Sequence, residues 1–254
     1  MNLIQALILG LVEGITEFLP ISSTGHLILT SKLLNVPDSD FVKSFEIAIQ
    51  LGAILSVVAL YWKKVWANRE ILKNVALAFV PTAILGFIFY KLIKAYLLSN
   101  SIVVLWSLFL GGVALILFEL WYKRQAEKNQ AISPKRAVAI GVFQSLAMIP
   151  GVSRSAATIV GGLLLGVSRE KIVEFSFLLA VPTMAAATGY DLLKSAGSIN
   201  LSQIHLLAVG FAISFIVALA SIKWLLNYVK NHTFIAFGVY RIIAAGVFWL
   251  LVIR

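Results

Sequence analysis

The chain contains no cysteine, and only 13% of its 254 residues are charged. The absence of cysteine excludes disulfide bonds, thiolate nucleophiles and cysteine-ligated zinc. Because soluble domains carry about 25% charged residues, the scarcity of charge argues against a soluble globular protein. Hydrophobic residues make up 60% of the chain, and its mean hydropathy is +0.95. We therefore predict an all-α polytopic membrane protein that forms a single integral membrane domain over residues 1–254.

Acidic residues are especially few: 11 Asp and Glu stand against 21 Lys and Arg, a formal net charge of +10. In a soluble protein this excess would indicate binding to nucleic acid. In a chain this apolar it indicates Lys and Arg in cytoplasmic loops, close to anionic lipid headgroups. The expected partner is therefore the membrane bilayer, and nucleic acid is not expected.

Long apolar runs are abundant. Six of them come close to the ~20 residues that a helix needs to cross a bilayer, at 44–62, 75–93, 101–122, 172–193, 204–226 and 233–253. Glu119 and Glu174 lie near the ends of two runs, where we expect solvated carboxylates.

Two further apolar regions, 3–34 and 137–167, are interrupted by polar residues, proline and glycine. Each divides into two apolar pieces that are too short to span a bilayer. We interpret each region as a re-entrant helix–loop–helix. Irregular backbone at membrane depth is tolerated only where it is buried in protein or lines a wet cavity.

The two interrupted regions resemble each other. Gly10, Glu13 and Pro20 align with Gly141, Gln144 and Pro150 at offsets of 131, 131 and 130 residues. The chain thus divides into repeats of about 1–130 and 131–254, each a re-entrant helix–loop–helix plus three transmembrane helices. Because three is odd, the second half enters the membrane from the opposite side, which predicts an inverted-topology repeat.

Loop charge predicts the orientation. The segments after 62 and 122 are rich in Lys and Arg, whereas the loops at 94–100 and 194–203 carry one lysine each. Since cytoplasmic loops carry the excess of positive charge, we place the richer loops in the cytoplasm. The first interrupted region then enters from the periplasmic or extracellular side.

Glu13 and Glu17 are four residues apart on a predicted helix and share one face. Two carboxylates in an apolar run repel each other and are costly to desolvate, so they are candidates for function. A shared proton, a bound divalent cation or a nearby arginine would reduce the cost.

The run Ser22, Ser23, Thr24, Gly25 and His26 follows at the first break. Its hydroxyls, together with the backbone N–H groups at the start of the next helix, suit a phosphate group. A hydroxyl beside a histidine or carboxylate can also be an activated nucleophile. An ordinary helix cap would explain only one of these hydroxyls.

Ser153, Arg154 and Ser155 lie at the equivalent break of the second half. Arginine is expensive at membrane depth, and its planar guanidinium suits a phosphate through paired hydrogen bonds. A salt bridge to one of the glutamates is a compatible alternative. Gln50 lies inside a predicted span and is a candidate cavity residue, although an amide there also serves as contact between helices.

The motifs at these breaks resemble those of the bacterial undecaprenyl-diphosphate phosphatase family, also known for bacitracin resistance. Residues 13–26 read EGITEFLPISSTGH and residues 150–158 read PGVSRSAAT, and the resemblance extends over essentially the whole chain. One departure is Ala156, where the family pattern is expected to have Gly.

The resemblance implies hydrolysis of undecaprenyl diphosphate to the monophosphate and inorganic phosphate, which recycles the lipid carrier for peptidoglycan synthesis and confers bacitracin resistance. It implies a multi-pass protein of the bacterial plasma membrane with an outward-facing site and a divalent cation, Mg²⁺ or Ca²⁺. By position, Glu13 and Glu17 would be the acidic pair and the metal ligands, and Ser23, His26 and Arg154 would join them in catalysis. Substrate contacts would come from Ser22, Thr24, Gln50, Ser153 and Ser155.

Several alternatives stay open from the sequence. The nucleophile is Ser23, Thr24 or water, and Ser23 would be activated by His26 or by a glutamate. Inverted repeats with broken helices are also typical of secondary transporters, so a transporter or lipid flippase is the alternative function. A second copy of the chain, forming a homodimer, is a further candidate partner.

Overall fold

The computed structural model describes residues 1–96, 101–125, 129–195 and 203–253. Every regular element in those ranges is helical, which confirms the all-α class. The first half forms α1 to α5, at Leu3–Thr16, Ser23–Leu33, Asp40–Ala67, Arg69–Tyr96 and Ser101–Tyr122. The second half forms α6 to α10, at Pro134–Gln144, Arg154–Leu164, Arg169–Ser195, Ile204–Tyr228 and Ile235–Phe248. A 3₁₀ turn at Ser145–Met148 follows α6, and a π-helical turn at Trp249–Ile253 follows α10.

Five of these helices are long and apolar enough to cross a membrane, namely α3, α4, α5, α8 and α9. They confirm five of the six predicted spans. The sixth, predicted at 233–253, forms α10 and the π-helical turn, and its apolar helix Ile235–Leu251 is shorter than the other five. The predicted loops at 94–100 and 194–203 lie largely outside the described residues.

Each interrupted region forms two short helices that contact each other, α1 with α2 and α6 with α7. The longest of the four, α1, has 14 residues. At 1.5 Å per residue it extends about 21 Å, short of the ~30 Å hydrocarbon core. The predicted break inside each region is thereby confirmed.

The two breaks share an unusual backbone. Ser22 has φ 72° and Ser153 has φ 77°, both in the left-handed region. This conformation costs a non-glycine residue about 1–2 kcal/mol, so neighbouring contacts must hold it. Each serine caps the following helix: the Ser22 hydroxyl accepts from the Gly25 N–H at 3.4 Å, and the Ser153 hydroxyl accepts from the Ala156 N–H at 3.2 Å.

Close backbone contacts join the two halves. A Cβ atom at Gly10 on α1 would lie 2.8 Å from the carbonyl oxygen of Gly210 on α9. A Cβ atom at Gly141 on α6 would collide with the carbonyl oxygen of Ala78 on α4. The first short helix of each half therefore packs on the second long helix of the other half, at a distance that only glycine permits.

The expectation of a solvated carboxylate at Glu119 is wrong. Glu119, near the end of α5, is fully buried and pairs with Arg169 at the start of α8, with 3.1 Å between Oε2 and Nη2. It also accepts the Phe234 backbone N–H at 3.1 Å. A partner from another helix thus offsets the desolvation of this charge. Glu174 is partly exposed and pairs with Lys64 at 2.5 Å.

Candidate active site

The two helix breaks lie against each other inside the bundle. The Ser155 hydroxyl, at the start of α7, donates to the Phe18 carbonyl oxygen at 2.9 Å. Arg154 reaches Glu17 across the same junction. The structure therefore brings together the two polar segments that the sequence places about 130 residues apart.

Glu17 is the centre of the polar cluster. Its Oε2 accepts the Ser23 hydroxyl at 2.5 Å, and its Oε1 accepts Arg154 Nη2 at 3.3 Å. The side chains of Glu17 and Arg154 are only 5% and 11% exposed. One carboxylate thus holds a hydroxyl and a guanidinium together in a setting from which water is largely excluded.

Arg154 is also fixed from α8. Its Nη1 donates to the Ser176 carbonyl oxygen at 2.7 Å, and its guanidinium lies 6.0 Å from the centre of the Phe18 ring. Its Nε is buried and makes no hydrogen bond. Arg154 is therefore fixed in one position, and a fixed guanidinium suits the binding of an anion. Ser176 lies within an apolar run, and nothing in that run indicates its contact with Arg154.

Glu13 lies one helical turn before Glu17 and is completely buried. Neither of its carboxylate oxygens has a hydrogen-bond partner. The charges of Glu17, Glu46 and Arg154 all act on it. An unpartnered buried carboxylate is costly, so this group needs a cation or a proton beyond what the described residues supply.

Both ring nitrogens of His26 bond to groups other than the Ser23 hydroxyl. Its Nδ1 bonds to the Ser22 carbonyl oxygen at 2.8 Å, its Nε2 bonds to the Tyr240 hydroxyl at 2.8 Å, and the two rings stack. A carbonyl oxygen can only accept, so Nδ1 carries the proton, and in the neutral ring Nε2 accepts from Tyr240. Of the two predicted activators of Ser23, a glutamate makes the contact and His26 does not.

A cavity of about 890 Å³ opens beside this cluster. Its polar lining includes seven of the residues that the sequence predicts, namely Glu17, Ser22, Ser23, Thr24, Gln50, Ser153 and Arg154. Three predicted residues are not in the lining: Glu13 and His26, which are buried, and Ser155, whose hydroxyl donates to the Phe18 carbonyl oxygen.

The rest of the cavity is mostly apolar. Its walls come from α4, the 3₁₀ turn and α8, and they include Phe79, Phe87 and Met184. Phe87 is 87% exposed, so the apolar part of the cavity continues to the outer surface of the bundle. A site with a charged head and an apolar wall suits an amphiphile with an anionic end.

A small amide network lies in the same wall. Gln144, which the sequence alignment of the two interrupted regions predicts to correspond to Glu13, donates to the hydroxyls of Thr82 and Thr183 at 2.9 and 3.1 Å. Both threonine hydroxyls in turn donate to backbone carbonyl oxygens. Because each threonine hydroxyl already donates its hydrogen to a carbonyl oxygen, it can only accept a hydrogen bond from Gln144. The Gln144 NH₂ group, and not its oxygen, therefore faces the two threonines. The position that carries a carboxyl group in the first interrupted region, at Glu13, thus carries a neutral amide in the second.

The described residues contain no group of three or more His, Cys, Asp or Glu side chains that could hold a metal ion. A metal site at this cluster would therefore rest on the predicted pair, Glu13 and Glu17. Oxygen ligands of this kind suit Mg²⁺ or Ca²⁺, and Mg²⁺ is commonly held by one or two carboxylates together with substrate phosphates. The unpartnered oxygens of Glu13 fit such an ion.

Comparison with known proteins agrees with this geometry. The family model described as "Bacitracin resistance protein BacA" matches residues 6–247. The chain is 53% identical to an undecaprenyl-diphosphatase of Aquifex aeolicus, with 96% of each chain covered. It is 53% identical to that of a Sulfurihydrogenibium species, covering 98% of this chain and 99% of the other, and 48% identical to that of Thermus thermophilus, covering 98% and 97%. These findings confirm the resemblance seen in the sequence: the chain belongs to the bacitracin resistance protein BacA family.

Proposed function

We propose that this chain hydrolyses undecaprenyl diphosphate to undecaprenyl phosphate and inorganic phosphate in the bacterial plasma membrane. The observation that carries the proposal is the Ser23–Glu17–Arg154 cluster at the polar end of a largely apolar cavity. The cluster offers a hydroxyl, a proton acceptor and a cation to a diphosphate, while the apolar wall accommodates the polyprenyl chain. The function recycles the lipid carrier for peptidoglycan synthesis and accounts for bacitracin resistance.

In the proposed reaction, the Ser23 oxygen attacks the terminal phosphorus as Glu17 accepts the hydroxyl proton. The new bond joins Ser23 Oγ to phosphorus, and the bond from phosphorus to the bridging oxygen breaks, so that undecaprenyl phosphate leaves with the bonding electrons. Water then hydrolyses the phosphoserine and releases phosphate. The 2.5 Å hydrogen bond between Ser23 and Glu17 supports this route over activation by His26. Thr24, also in the cavity lining, and water are the alternative nucleophiles.

Arg154 and a divalent cation would supply charge stabilisation. Removal of a terminal phosphoryl group depends mainly on positioning and on neutralising the charge of the phosphate oxygens. Glu13 and Glu17 would hold Mg²⁺ or Ca²⁺, and the bound ion would neutralise part of the diphosphate charge. The unpartnered carboxylate of Glu13 supports this assignment.

The first test is phosphate release from undecaprenyl diphosphate by the purified protein in detergent, with and without EDTA. We expect release by the wild-type protein, and a Ser23→Ala variant that loses at least about 10²-fold in kcat, the scale of an activated group. Ser56→Ala is the matched control, because Ser56 is a fully buried serine that bonds only to its own helix. Near wild-type release by Ser23→Ala would eliminate the covalent route. No release by the wild-type protein would favour the transporter alternative.

The site is proposed to face the periplasm or the outside of the cell. The basic segments around Lys64 and Lys123 support a cytoplasmic location for that end of the bundle. Because the chain has no cysteine, single cysteines report the orientation without background. We expect a membrane-impermeant maleimide to label Asp38→Cys in intact cells and Lys123→Cys only after permeabilisation. The reverse pattern would invert the proposed topology.

The inverted repeat is also a proposal, supported by reciprocal packing. Besides the matched contacts of α1 with α9 and of α6 with α4, the contact between α5 and α10 is symmetric. A Cβ atom at Gly112 would lie 2.7 Å from the Gly238 carbonyl oxygen, and one at Gly238 would lie 2.8 Å from the Gly112 carbonyl oxygen. A two-fold axis between α5 and α10 would produce this exchange. A homodimer stays a prediction.

A further inference from the structure

Arg241 lies at the centre of α10 and is completely buried. No carboxylate among the described residues pairs with it; those residues form ion pairs only through Lys43, Lys64, Arg154 and Arg169. A buried guanidinium without a counter-ion must satisfy its N–H groups in another way, because each unmet donor costs about 1–3 kcal/mol.

All five donors of Arg241 go to backbone carbonyl oxygens. These come from the first break, the second break and α5: Pro20 at 3.3 Å, Gly151 at 2.8 Å, Val152 at 2.9 Å, Ser107 at 3.0 Å and Leu108 at 3.3 Å. One side chain thus joins the two helix breaks to each other and to a long helix.

These carbonyl groups lie next to the strained serines. Pro20 precedes Ser22 by two residues, and Val152 directly precedes Ser153. A left-handed serine persists only where its surroundings fix it. The bonds to Arg241 supply such a restraint at both breaks, immediately before the helices that begin with Ser23 and Arg154.

The fold leaves room for this guanidinium at one glycine. A Cβ atom at Gly111 on α5 would overlap Arg241 Nη2 and lie 2.7 Å from its Cζ. Lysine cannot replace the group, because an ammonium directs three donors from a single point whereas the planar guanidinium directs five. The arrangement is therefore specific to arginine.

We propose that Arg241 is a positioning residue for the phosphatase reaction. It holds the break before Ser23 against the break before Arg154. It therefore sets the position of the Ser23 hydroxyl relative to the Arg154 guanidinium, which binds the phosphate. The catalytic part rests on the proposed function, whereas the positioning itself does not. Misplacement of reacting groups by about 1 Å can cost 10²-fold in rate, so loss of this restraint would lower kcat more than it raises KM.

The kinetic test compares Arg241→Lys with Arg169→Lys, each purified in detergent. Arg169 is a matched control, because it is also a shielded arginine, bonds bidentately to Glu119 and lies outside the cavity of the site. We expect kcat per folded molecule to fall at least about 10²-fold in Arg241→Lys, with KM changed by less than about tenfold. Arg169→Lys should lose thermal stability only.

The distance test uses the absence of cysteine in the chain. Leu33→Cys and Leu164→Cys, the last residues of α2 and α7, are 41% and 45% exposed and accept nitroxide labels. Pulsed electron spin resonance should give a narrow distance distribution in the otherwise wild-type protein and in Arg169→Lys. The distribution should broaden or shift in Arg241→Lys.

Both effects are required. A fall in kcat with an unchanged distance distribution, a changed distribution with wild-type kcat, or no change in either measurement would each overturn the proposal. If Arg241→Lys does not fold, Gly111→Ala takes its place, since it displaces the guanidinium without removing it. If the wild-type protein releases no phosphate, the proposed function fails, and the distance measurement alone decides whether Arg241 positions the two breaks.

Discussion

The Glu17–Arg154 ion pair allows a quantitative test of the site. The two charges are 3.3 Å apart and almost completely shielded from water. At an effective dielectric constant of about 20, their attraction is about 5 kcal/mol. Glu17→Gln keeps the shape of the side chain and removes its charge, leaving the buried Arg154 guanidinium without its ion-pair partner. Breaking a buried pair in this way costs about 3–5 kcal/mol, and we expect a loss of this size in the free energy of unfolding.

The same substitution removes the group that accepts the Ser23 hydroxyl proton. A positioned general base contributes about 10²–10⁴ in rate, so kcat of the folded variant should fall by at least about 10²-fold. The effects on stability and on rate have different origins and can be separated. In the Glu17→Gln, Arg154→Gln double variant neither member of the pair is left as a single buried charge, so stability should partly return while activity should not.

The assay is a double-mutant cycle that records unfolding in mixed micelles and phosphate release from undecaprenyl diphosphate. The Glu119–Arg169 pair provides the control, because it is also shielded and lies outside the cavity. Its single variants should lose stability but keep the kcat of the folded protein. Additive stability losses at Glu17 and Arg154, or a Glu17→Gln variant within tenfold of wild-type kcat, would refute the reasoning.

Three further outcomes follow from particular contacts. Tyr240→Phe removes the hydroxyl that bonds to His26 Nε2 at 2.8 Å. Thermal unfolding should show that the free energy of unfolding falls by about 1–3 kcal/mol. An unchanged melting temperature would mean that the bond is not formed. Gly141→Ala forces a methyl group into a backbone carbonyl of α4 and should lower the free energy of unfolding by about 1–3 kcal/mol. A Cβ atom at Gly246 would have no neighbouring atom within 4 Å, so the control variant Gly246→Ala should be neutral or stabilising. EDTA should abolish phosphate release and Mg²⁺ or Ca²⁺ should restore it, but not in Glu13→Gln; full activity in EDTA would remove the cation from the proposal.

The site could be located from the sequence because its polar and charged residues interrupt long apolar runs. Glu13, Glu17 and Arg154 interrupt apolar runs, where charge is most expensive. The helix breaks could be predicted for a similar reason, since Pro20 and Gly151 fall between apolar pieces too short to span. Five spans were found because length and hydropathy alone define them.

Pairwise contacts could not be predicted in the same way. Helical spacing places Glu13 and Glu17 on one face, but it says nothing about Ser23, which follows an irregular segment. Whether Ser23 would meet a glutamate or His26 depended on φ angles that the sequence does not reveal. The partner of His26, Tyr240, is 214 residues away, and a tyrosine in an apolar run is too common to indicate a contact.

Arg241 combines a feature that the sequence reveals, a charge inside an apolar run, with contacts that it does not reveal. The rule that singles out Arg154 applies equally to Arg241, which lies inside the predicted span 233–253. Both arginines need oxygen acceptors at membrane depth, and backbone carbonyls serve as well as carboxylates or phosphates. What separates them is access to the cavity: Arg154 is part of its lining, whereas Arg241 is not and has all five donors bound to backbone. An intramembrane arginine in the wall of a cavity can bind a substrate, and a fully buried one whose donors are all used can only position the residues that do.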